Sequence, residues 1–187
     1  SYEKVSVLIS PDFGLCDDCK SELEKKTDKR YQYPFITCTN CGPRYSIISD
    51  VPYDRMNTTM HKFEMCDHCR DEYDDVEDRR YFSQTNSCPE CGIQVSWDTT
   101  PCSTHEWLNK AMEALGNGSV IAVKGIGGYL LLCDATNSQS IINLRLRKNR
   151  KQKPFAVLYP TINQVDQEYE LNQFERKALL SQESPIV

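Results

Sequence analysis

The chain has 187 residues, of which 39% are hydrophobic and 26% charged, and its formal net charge is −5. This composition is ordinary for one or two globular domains, and no run of about 18 apolar residues is present that could span a bilayer. The start, SYEKVSVLIS, lacks the long apolar core of a secretory signal. These features exclude an integral membrane protein and favour a cytoplasmic one.

Cysteine spacing is the strongest signal in the chain. Eight of the ten cysteines form four Cys-x-x-Cys pairs, and the last two pairs repeat the first two at an offset of 50 residues. The predicted metal ligands are Cys16, Cys19, Cys38, Cys41, Cys66, Cys69, Cys88 and Cys91. Two such pairs are typical of a closed, tetrahedral, structural zinc site, and we therefore predict two structural Zn²⁺ ions. A disulfide framework is the alternative, but the spacing and two leftover cysteines, Cys102 and Cys133, argue against it.

The repeat extends beyond the cysteines. Seven further residues recur 50 positions later: Phe13, Asp17, Glu22, Asp28, Arg30, Tyr31 and Gly42 are echoed by Phe63, Asp67, Glu72, Asp78, Arg80, Tyr81 and Gly92. The pattern indicates two copies of one unit, the first module (residues 13–42) and the second module (residues 63–92). Each is too small to bury a large core, so zinc binding must supply folding free energy, on the order of 10 kcal/mol.

Residues 1–100 form the predicted tandem four-cysteine zinc-finger domain. They are rich in turn residues without a sustained helical period, which predicts loops and short strands around the metals. They carry 12 Lys and Arg against 19 Asp and Glu, so this half is a poor candidate for gripping phosphate backbones. His68 lies within the third cysteine pair, but four thiols already complete a site, and we interpret it as a spectator.

A polar linker, residues 98–103, precedes the second predicted domain, residues 104–187. Thr104 is the predicted cap of a helix that closes at Gly116 and Gly118. A strand at 119–123, a tight loop at 124–128 and a second, buried strand at 129–133 follow. We then expect a helix capped by Asn137 or Ser138, a third strand at 155–159, and helices at 161–168 and 172–181. Alternating helices and strands predict an α/β layer domain.

The two ends of the chain add an expectation about its context. The sequence begins at Ser1 without a methionine and stops at Ser184-Pro-Ile-Val187, which resembles the start of another strand. We therefore expect a segment of a longer protein.

A dense run of positive charge lies just before the third predicted strand. Six cations and no acid occupy residues 144–153. The ordinary interpretation is a solvated helix face with cations near its C-terminus. Because these cations lie directly ahead of a strand, a second interpretation is favoured, in which they converge on a polyphosphate. The glycine loop at 124–128 matches neither standard nucleotide motif, so Lys124 is the better candidate there for contact with an anion.

These motifs resemble the HypF family of carbamoyltransferases over nearly the whole chain. The stretches that resemble its tandem zinc-finger region are residues 30–44, 52–55, 58–60, 79–80 and 88–92, and those that resemble the start of its YrdC-like domain are residues 122–129, 133–135 and 144–156. The expected fold is therefore two four-cysteine modules followed by the incomplete first part of a YrdC-like α/β domain. Phe82 and Leu130 stand where the family commonly has histidine.

The resemblance implies a chemistry. ATP and carbamate from carbamoyl phosphate would give carbamoyl-adenylate, and the carbamoyl group would pass to the C-terminal cysteine of HypE, for the cyanide ligands of [NiFe]-hydrogenase. It further implies that a complete YrdC-like domain binds ATP with Mg²⁺. Five residues would contact the nucleotide: Lys148, Arg150 and Lys153 would hold the triphosphate, and Lys124 and Tyr129 would line the pocket. No catalytic residue is assigned, and this segment alone is expected to be inactive.

Two other functions remain open from the residues. Tetracysteine sites beside a basic run also occur in modules that bind nucleic acid, and YrdC-like folds are associated with double-stranded RNA. The acidic first half weakens that alternative. The other is a non-catalytic zinc scaffold that docks partner maturation proteins.

Overall fold

The computed structural model describes residues 8–187, so the first seven residues of the predicted zinc-finger domain lie outside it. The chain divides into two compact units, the first ending at Gln94 and the second beginning at Val95. The assignment of residues 1–100 and 104–187 to two domains stays a prediction. Within the described residues, no helix is long and apolar enough to cross a membrane.

The first unit holds two α-helices that the sequence analysis missed. They are α1, Asp17–Glu24, and α2, Asp67–Asp74, and three short 3₁₀ helices lie between them at Tyr45–Ile47, Arg55–Asn57 and Thr59–Lys62. Both α-helices begin directly after a cysteine and carry aspartate in the first turn, where negative charge favours the helix dipole. Their positions differ by 50 residues, as the sequence repeat requires.

The repeat is also present in the backbone that follows each helix. The carboxylate of Asp28 accepts a hydrogen bond from the Arg30 amide at 2.8 Å, and Asp78 accepts the equivalent bond from Arg80 at 2.7 Å. Two residues later the chain enters the left-handed region, with φ of 56° at Gln32 and 53° at the equivalent position 82. The two modules therefore share one local fold, which a helix and an aspartate turn define.

The apolar core of the first unit is small and is built around sulfur. Tyr33 and Ile36 pack with the four cysteines of the first module, and Leu15, Leu23 and Phe35 are partly buried against them. Polar side chains occupy much of the remaining interior, because Arg30, Arg80 and the stretch 83–87 are also buried. A core of this kind needs additional cross-links to be stable.

The second unit contains two antiparallel strand pairs and four helices. The strands are β1, Ser96–Trp97, β2, Thr100–Pro101, β3, Ile121–Gly125, and β4, Gly128–Leu132. The helices are α3, Thr104–Gly116, α4, Ser138–Arg147, α5, Ile162–Glu168, and α6, Gln173–Leu179. The four predicted helices of this region are all present.

Three details of the second unit differ from the sequence prediction. Ser103 caps α3 instead of Thr104, because Ser103 and Glu106 form a reciprocal capping box. The strand predicted as buried, β4, is exposed along its length, and it pairs directly with β3 as a hairpin in register Lys124 to Tyr129. Residues 155–159 form no strand, since no other segment of the described chain supplies backbone partners for them.

Candidate metal centres and cationic segment

The eight predicted ligands form two separate clusters of four sulfurs. The first centre contains Cys16, Cys19, Cys38 and Cys41, and the second centre contains Cys66, Cys69, Cys88 and Cys91. Within each centre all four Sγ atoms lie within 4.8 Å of one another. The structure therefore brings together the groups that the spacing predicted to meet.

The sulfur separations fit a tetrahedral ion. Neighbouring Sγ atoms are 3.5–3.8 Å apart in the first centre and 3.6–3.7 Å apart in the second. An ion about 2.3 Å from each of four tetrahedral sulfurs would place them roughly 3.8 Å apart, whereas a disulfide needs about 2.05 Å. All ten cysteines are free thiols in the structure. The geometry fits zinc and excludes the disulfide alternative.

Helix starts position half of the ligands. Cys16 is the N-cap of α1 and Cys19 lies in its first turn, and Cys66 and Cys69 hold the same places in α2. A helix N-terminus stabilises negative charge, so it suits a thiolate ligand. No side chain caps either helix through an oxygen, because the capping positions are occupied by the cysteines themselves.

A tight turn positions the other ligands of the first centre. Cys38 and Cys41 face each other across a β-bridge, and the Asn40 amide donates to the Cys38 sulfur at 3.3 Å. Gly42 follows with φ of 88°, and a Cβ there would lie 2.4 Å from the Thr37 methyl group, so only glycine fits. Arg44 then binds four backbone carbonyls of this turn at 2.8–3.1 Å and fixes its shape.

The two centres differ in exposure. All four sulfur ligands of the first centre are buried, whereas Cys66 and Cys91 of the second are partly exposed. His68 is not part of the sulfur cluster, as the sequence analysis expected; its ring nitrogen lies 3.4 Å from a Glu72 oxygen.

Cations of one module contact the sulfurs of the other. Arg79 of the second module donates to the Cys19 sulfur through both terminal nitrogens, at 3.3 and 3.5 Å. In the opposite direction, Arg30 of the first module donates to Cys69 at 3.4 Å, and Lys29 lies 3.6 Å from the sulfur of Cys66. These donors were not predicted from the sequence, although the recurrence of Arg30 at position 80 was a signal that could have pointed to Arg30.

Two partly buried carboxylates bind both of those arginines and also Arg80. Glu22 binds both Arg79 and Arg80, and Glu72 binds Arg30 at 2.8 Å and Arg80 at 3.5 Å. Burial alone would raise the pKa of Glu72, but the hydrogen bonds and charge of Arg30, the charge of Arg80 and a hydrogen bond from Asn86 together leave the pKa below its ordinary value. We name the set Glu22, Lys29, Arg30, Glu72, Arg79 and Arg80 the inter-module network. It links the two modules through ionic groups as well as through packing.

In the second unit, Lys124 and Tyr129 lie together. They are cross-strand partners in the β3–β4 hairpin, and the Lys124 amino group lies 5.8 Å from the centre of the Tyr129 ring. Both side chains are exposed. Cys133 follows β4 and is partly buried, and burial with the nearby Asp134 raises the pKa of its thiol, which leaves it a weak nucleophile.

The cationic segment, residues 144–153, spans the end of α4 and the loop after it. Arg145 and Arg150 flank the Phe155 ring, at 4.8 and 5.4 Å from its centre, and Arg145 also donates to two backbone carbonyls of the loop. Lys148 and Lys153 are exposed. Among residues 8–187, no carboxylate forms an ion pair with any cation of this segment. Nor does the described structure record a bond between this segment and the hairpin pair, so their convergence on one ligand stays a prediction.

Comparison with known families defines the class of protein. A model described as the HypF finger matches residues 15–48 and 65–97, and the Sua5/YciO/YrdC model, described as telomere recombination, matches residues 113–187. Two tandem HypF-type fingers followed by a YrdC-type segment thus account for most of the chain. The predicted fold class is confirmed.

Similar proteins narrow the class to one family. The chain is 53% identical to the carbamoyltransferase HypF of Synechocystis and 47% identical to the probable carbamoyltransferase HypF of Methanocaldococcus jannaschii, in each case over 96% of this chain and 24% of the relative. A crystal structure of HypF from T. kodakarensis superposes with a TM-score of 0.87 at 44% identity, over 97% of this chain and 24% of that one. The chain belongs to the HypF family, and it spans about a quarter of the length of the curated relatives it matches.

Proposed function

We propose that both sulfur centres bind Zn²⁺ as structural ions and that the first unit is a rigid spacer between catalytic units of a carbamoyltransferase. The tetrahedral sulfur separations support this, because four thiolates leave no open position for a substrate. When bound, each ion supplies cross-linking of the chain and no chemistry of its own. The ligands lie at the starts of α1 and α2, in the Cys38–Cys41 turn and in its counterpart at Cys88–Cys91.

Metal analysis of the purified chain tests the zinc assignment. We expect two zinc ions per chain, one for each centre. Replacement by Co²⁺ should give the absorption spectrum of a tetrahedral tetrathiolate at both sites, because sulfur-to-cobalt charge transfer reports the number of thiolates. A folded chain that binds less than one metal ion, or whose cysteines are oxidised in pairs, would contradict the assignment.

We further propose that the second unit contributes to a nucleotide site. In the complete protein, ATP and carbamate derived from carbamoyl phosphate would form carbamoyl-adenylate and pyrophosphate, and the carbamoyl group would pass to the C-terminal cysteine thiol of HypE. The relatives are named carbamoyltransferases, and one structure 41% identical to this chain, with a TM-score of 0.84 over 93% of it, is described as full-length HypF in the phosphate- and nucleotide-bound form. The observation in this chain that carries the proposal is the cationic segment, which has no carboxylate partner within residues 8–187.

Each cation would help to compensate the negative charge of the phosphates. Triphosphate binding and departure of pyrophosphate both require compensation of negative charge, which ATP-bound Mg²⁺ would share. Lys148 and Lys153 are exposed and unpaired among the described residues, so they can turn toward a phosphate at little cost. Arg150 stacks on Phe155, which holds its guanidinium in place. Lys124 and Tyr129 would line the same pocket from the hairpin.

Exchange between ATP and pyrophosphate that depends on carbamoyl phosphate tests this function, in a full-length HypF protein containing this segment. We expect Lys148→Ala to reduce the exchange rate at subsaturating ATP by about 10-fold or more, because a hydrogen bond between charged groups contributes about 1.5–3 kcal/mol. Lys151→Ala removes the same charge from the same exposed segment at a position with no proposed contact, and it should change the rate by less than about twofold.

Two outcomes would contradict the nucleotide role. Equal, small losses in both variants would indicate a solvated cationic face. No exchange by the folded, zinc-loaded protein, together with RNA binding that weakens steeply with salt and that ATP does not displace, would favour the nucleic-acid alternative.

A further inference from the structure

Among the described residues, the cations that donate to a sulfur of each centre belong to the opposite module. Cys19 receives Arg79, which lies 60 residues later in the chain, and Cys69 receives Arg30, which lies 39 residues earlier. Cys19 and Cys69 are equivalent positions in the repeat, yet their donors are not equivalent arginines. The two contacts therefore compensate the negative charge of the two centres in different ways.

Each centre, when it holds Zn²⁺, carries excess negative charge. Four thiolates and one Zn²⁺ carry a net charge of −2, and Cys19 and Cys69 are both fully buried. Hydrogen bonds from cations reduce this charge and fix the direction of the sulfur lone pairs, and the loss of such supporting contacts typically lowers metal affinity 10- to 100-fold. Each module alone lacks the cationic donors that its own sulfurs use in the folded unit.

The carboxylates of Glu22 and Glu72 also depend on cations of the opposite module. Arg79 and Arg80 reach across to Glu22 of the first module, whereas Arg30 reaches across to Glu72 of the second. If the first module unfolds, Glu72 loses Arg30, and the cysteines of the second module lose both of their cationic donors. If the second module unfolds, the Cys19 sulfur and the Glu22 carboxylate lose theirs.

We propose that the two zinc centres are a thermodynamically coupled pair, in which loss of the ion from one centre weakens retention of the ion at the other. The inference rests on the proposed zinc occupancy and adds that Arg79 is a positioning residue for the first centre, although it belongs to the second module. Coupling between binding sites is reciprocal, so release from the second centre also weakens the first.

Chelator challenge with thiol labelling measures the contribution of Arg79. The full chain is exposed to a zinc chelator and an alkylating reagent, and mass spectrometry of the peptides follows each cysteine. We expect Arg79→Met to speed labelling of the first-centre cysteines by about 10-fold or more. Lys20→Met is the matched control, because Lys20 adjoins Cys19 in sequence and is exposed, and its amino group pairs with Asp17 and donates to no sulfur among the described residues.

A conservative variant separates a sulfur contact from general packing. Position 79 corresponds to Lys29 in the repeat, and Lys29 already approaches a sulfur of the opposite centre at 3.6 Å. Arg79→Lys should therefore recover most of the slow labelling. Rates equal to wild type in Arg79→Met, equal acceleration in Lys20→Met, or no recovery in Arg79→Lys would each overturn the role of Arg79.

Zinc retention in Cys38→Ser tests the coupling itself. If the pair is coupled, this variant loses the first ion and its second-centre cysteines then label at least about 10-fold faster than in the wild-type chain. If the centres are independent, one zinc ion remains and second-centre labelling is unchanged, which would overturn the proposal. Wild-type chain analysed in parallel must contain two zinc ions, so failure of the zinc assignment is distinguished from failure of the coupling.

Discussion

Replacing Arg30 with methionine is expected to lower the melting temperature of the first unit by about 12 °C or more at a fixed zinc concentration. Arg30 is 2% exposed and donates to Glu72, Asn86, the Ser87 carbonyl and the Cys69 sulfur. Methionine preserves much of the volume but leaves Arg80, at 3.5 Å, as the only arginine paired with the Glu72 carboxylate among the described residues. Removal of one partner of a buried ion pair costs about 3–5 kcal/mol, and each kcal/mol corresponds to about 4–8 °C in a domain of this size.

Arg70→Met is the control for this measurement. It removes the same charge beside Cys69 in sequence, but Arg70 is exposed and has no ion-pair partner among the described residues. Thermal unfolding is followed by circular dichroism, with identical total zinc in every sample because the apparent stability depends on free metal. Equal melting temperatures for the two variants would show that the buried ionic contacts of Arg30 contribute nothing to stability.

Replacing Gly92 with alanine should destabilise the second module by about 2–3 kcal/mol and release its zinc ion more readily. A Cβ at this buried position would lie 2.2 Å from the Tyr33 hydroxyl, 2.7 Å from the Ser87 Cβ and 2.9 Å from the Cys88 carbonyl oxygen. Tyr33 belongs to the first module, so the clash occurs where the modules meet. Zinc content and melting temperature measure the effect.

Two further variants show whether the effect of Gly92→Ala arises from the clash of the added Cβ. Gly127→Ala should be neutral, because no atom outside its own chain neighbours lies within 4 Å of the added Cβ in the turn of the hairpin. Tyr33→Phe combined with Gly92→Ala removes the closest clashing atom and should recover part of the lost stability. A Gly92→Ala chain as stable and as zinc-rich as wild type would mean that the modules do not pack as closely as described.

The sequence predicted the sulfur centres well because their geometry depends on local spacing. A Cys-x-x-Cys pair at a turn or a helix start holds two sulfurs on one side, whatever the rest of the chain does. The four helices of the second unit were also predictable from caps such as Asn137 and from apolar spacing along α3. Local chemistry determines these features, and the structure agrees with them.

The features that sequence analysis missed depend on distant residues or on weak local signals. Helices α1 and α2 are eight residues long and mostly polar, so they show little apolar period, and a cysteine stands where a capping oxygen would have marked their start. The run at 155–159 has strand-like composition, but a strand also needs a backbone partner, and the described chain provides none. The contacts of Arg79 and Arg30 join residues 39 to 60 positions apart, which no local pattern can indicate.

The inter-module network also sets an order of events during synthesis. Glu22 and Arg80 are 58 residues apart, so the carboxylate of the first module emerges from the ribosome well before its partner. At about 5–20 residues per second, the interval is roughly 3–12 s. From the emergence of Cys41 until that of Arg79, the nascent first module has all four of its cysteines but none of the cations that the second module contributes. We therefore expect the first centre to hold its metal more weakly until residues 79 and 80 have emerged.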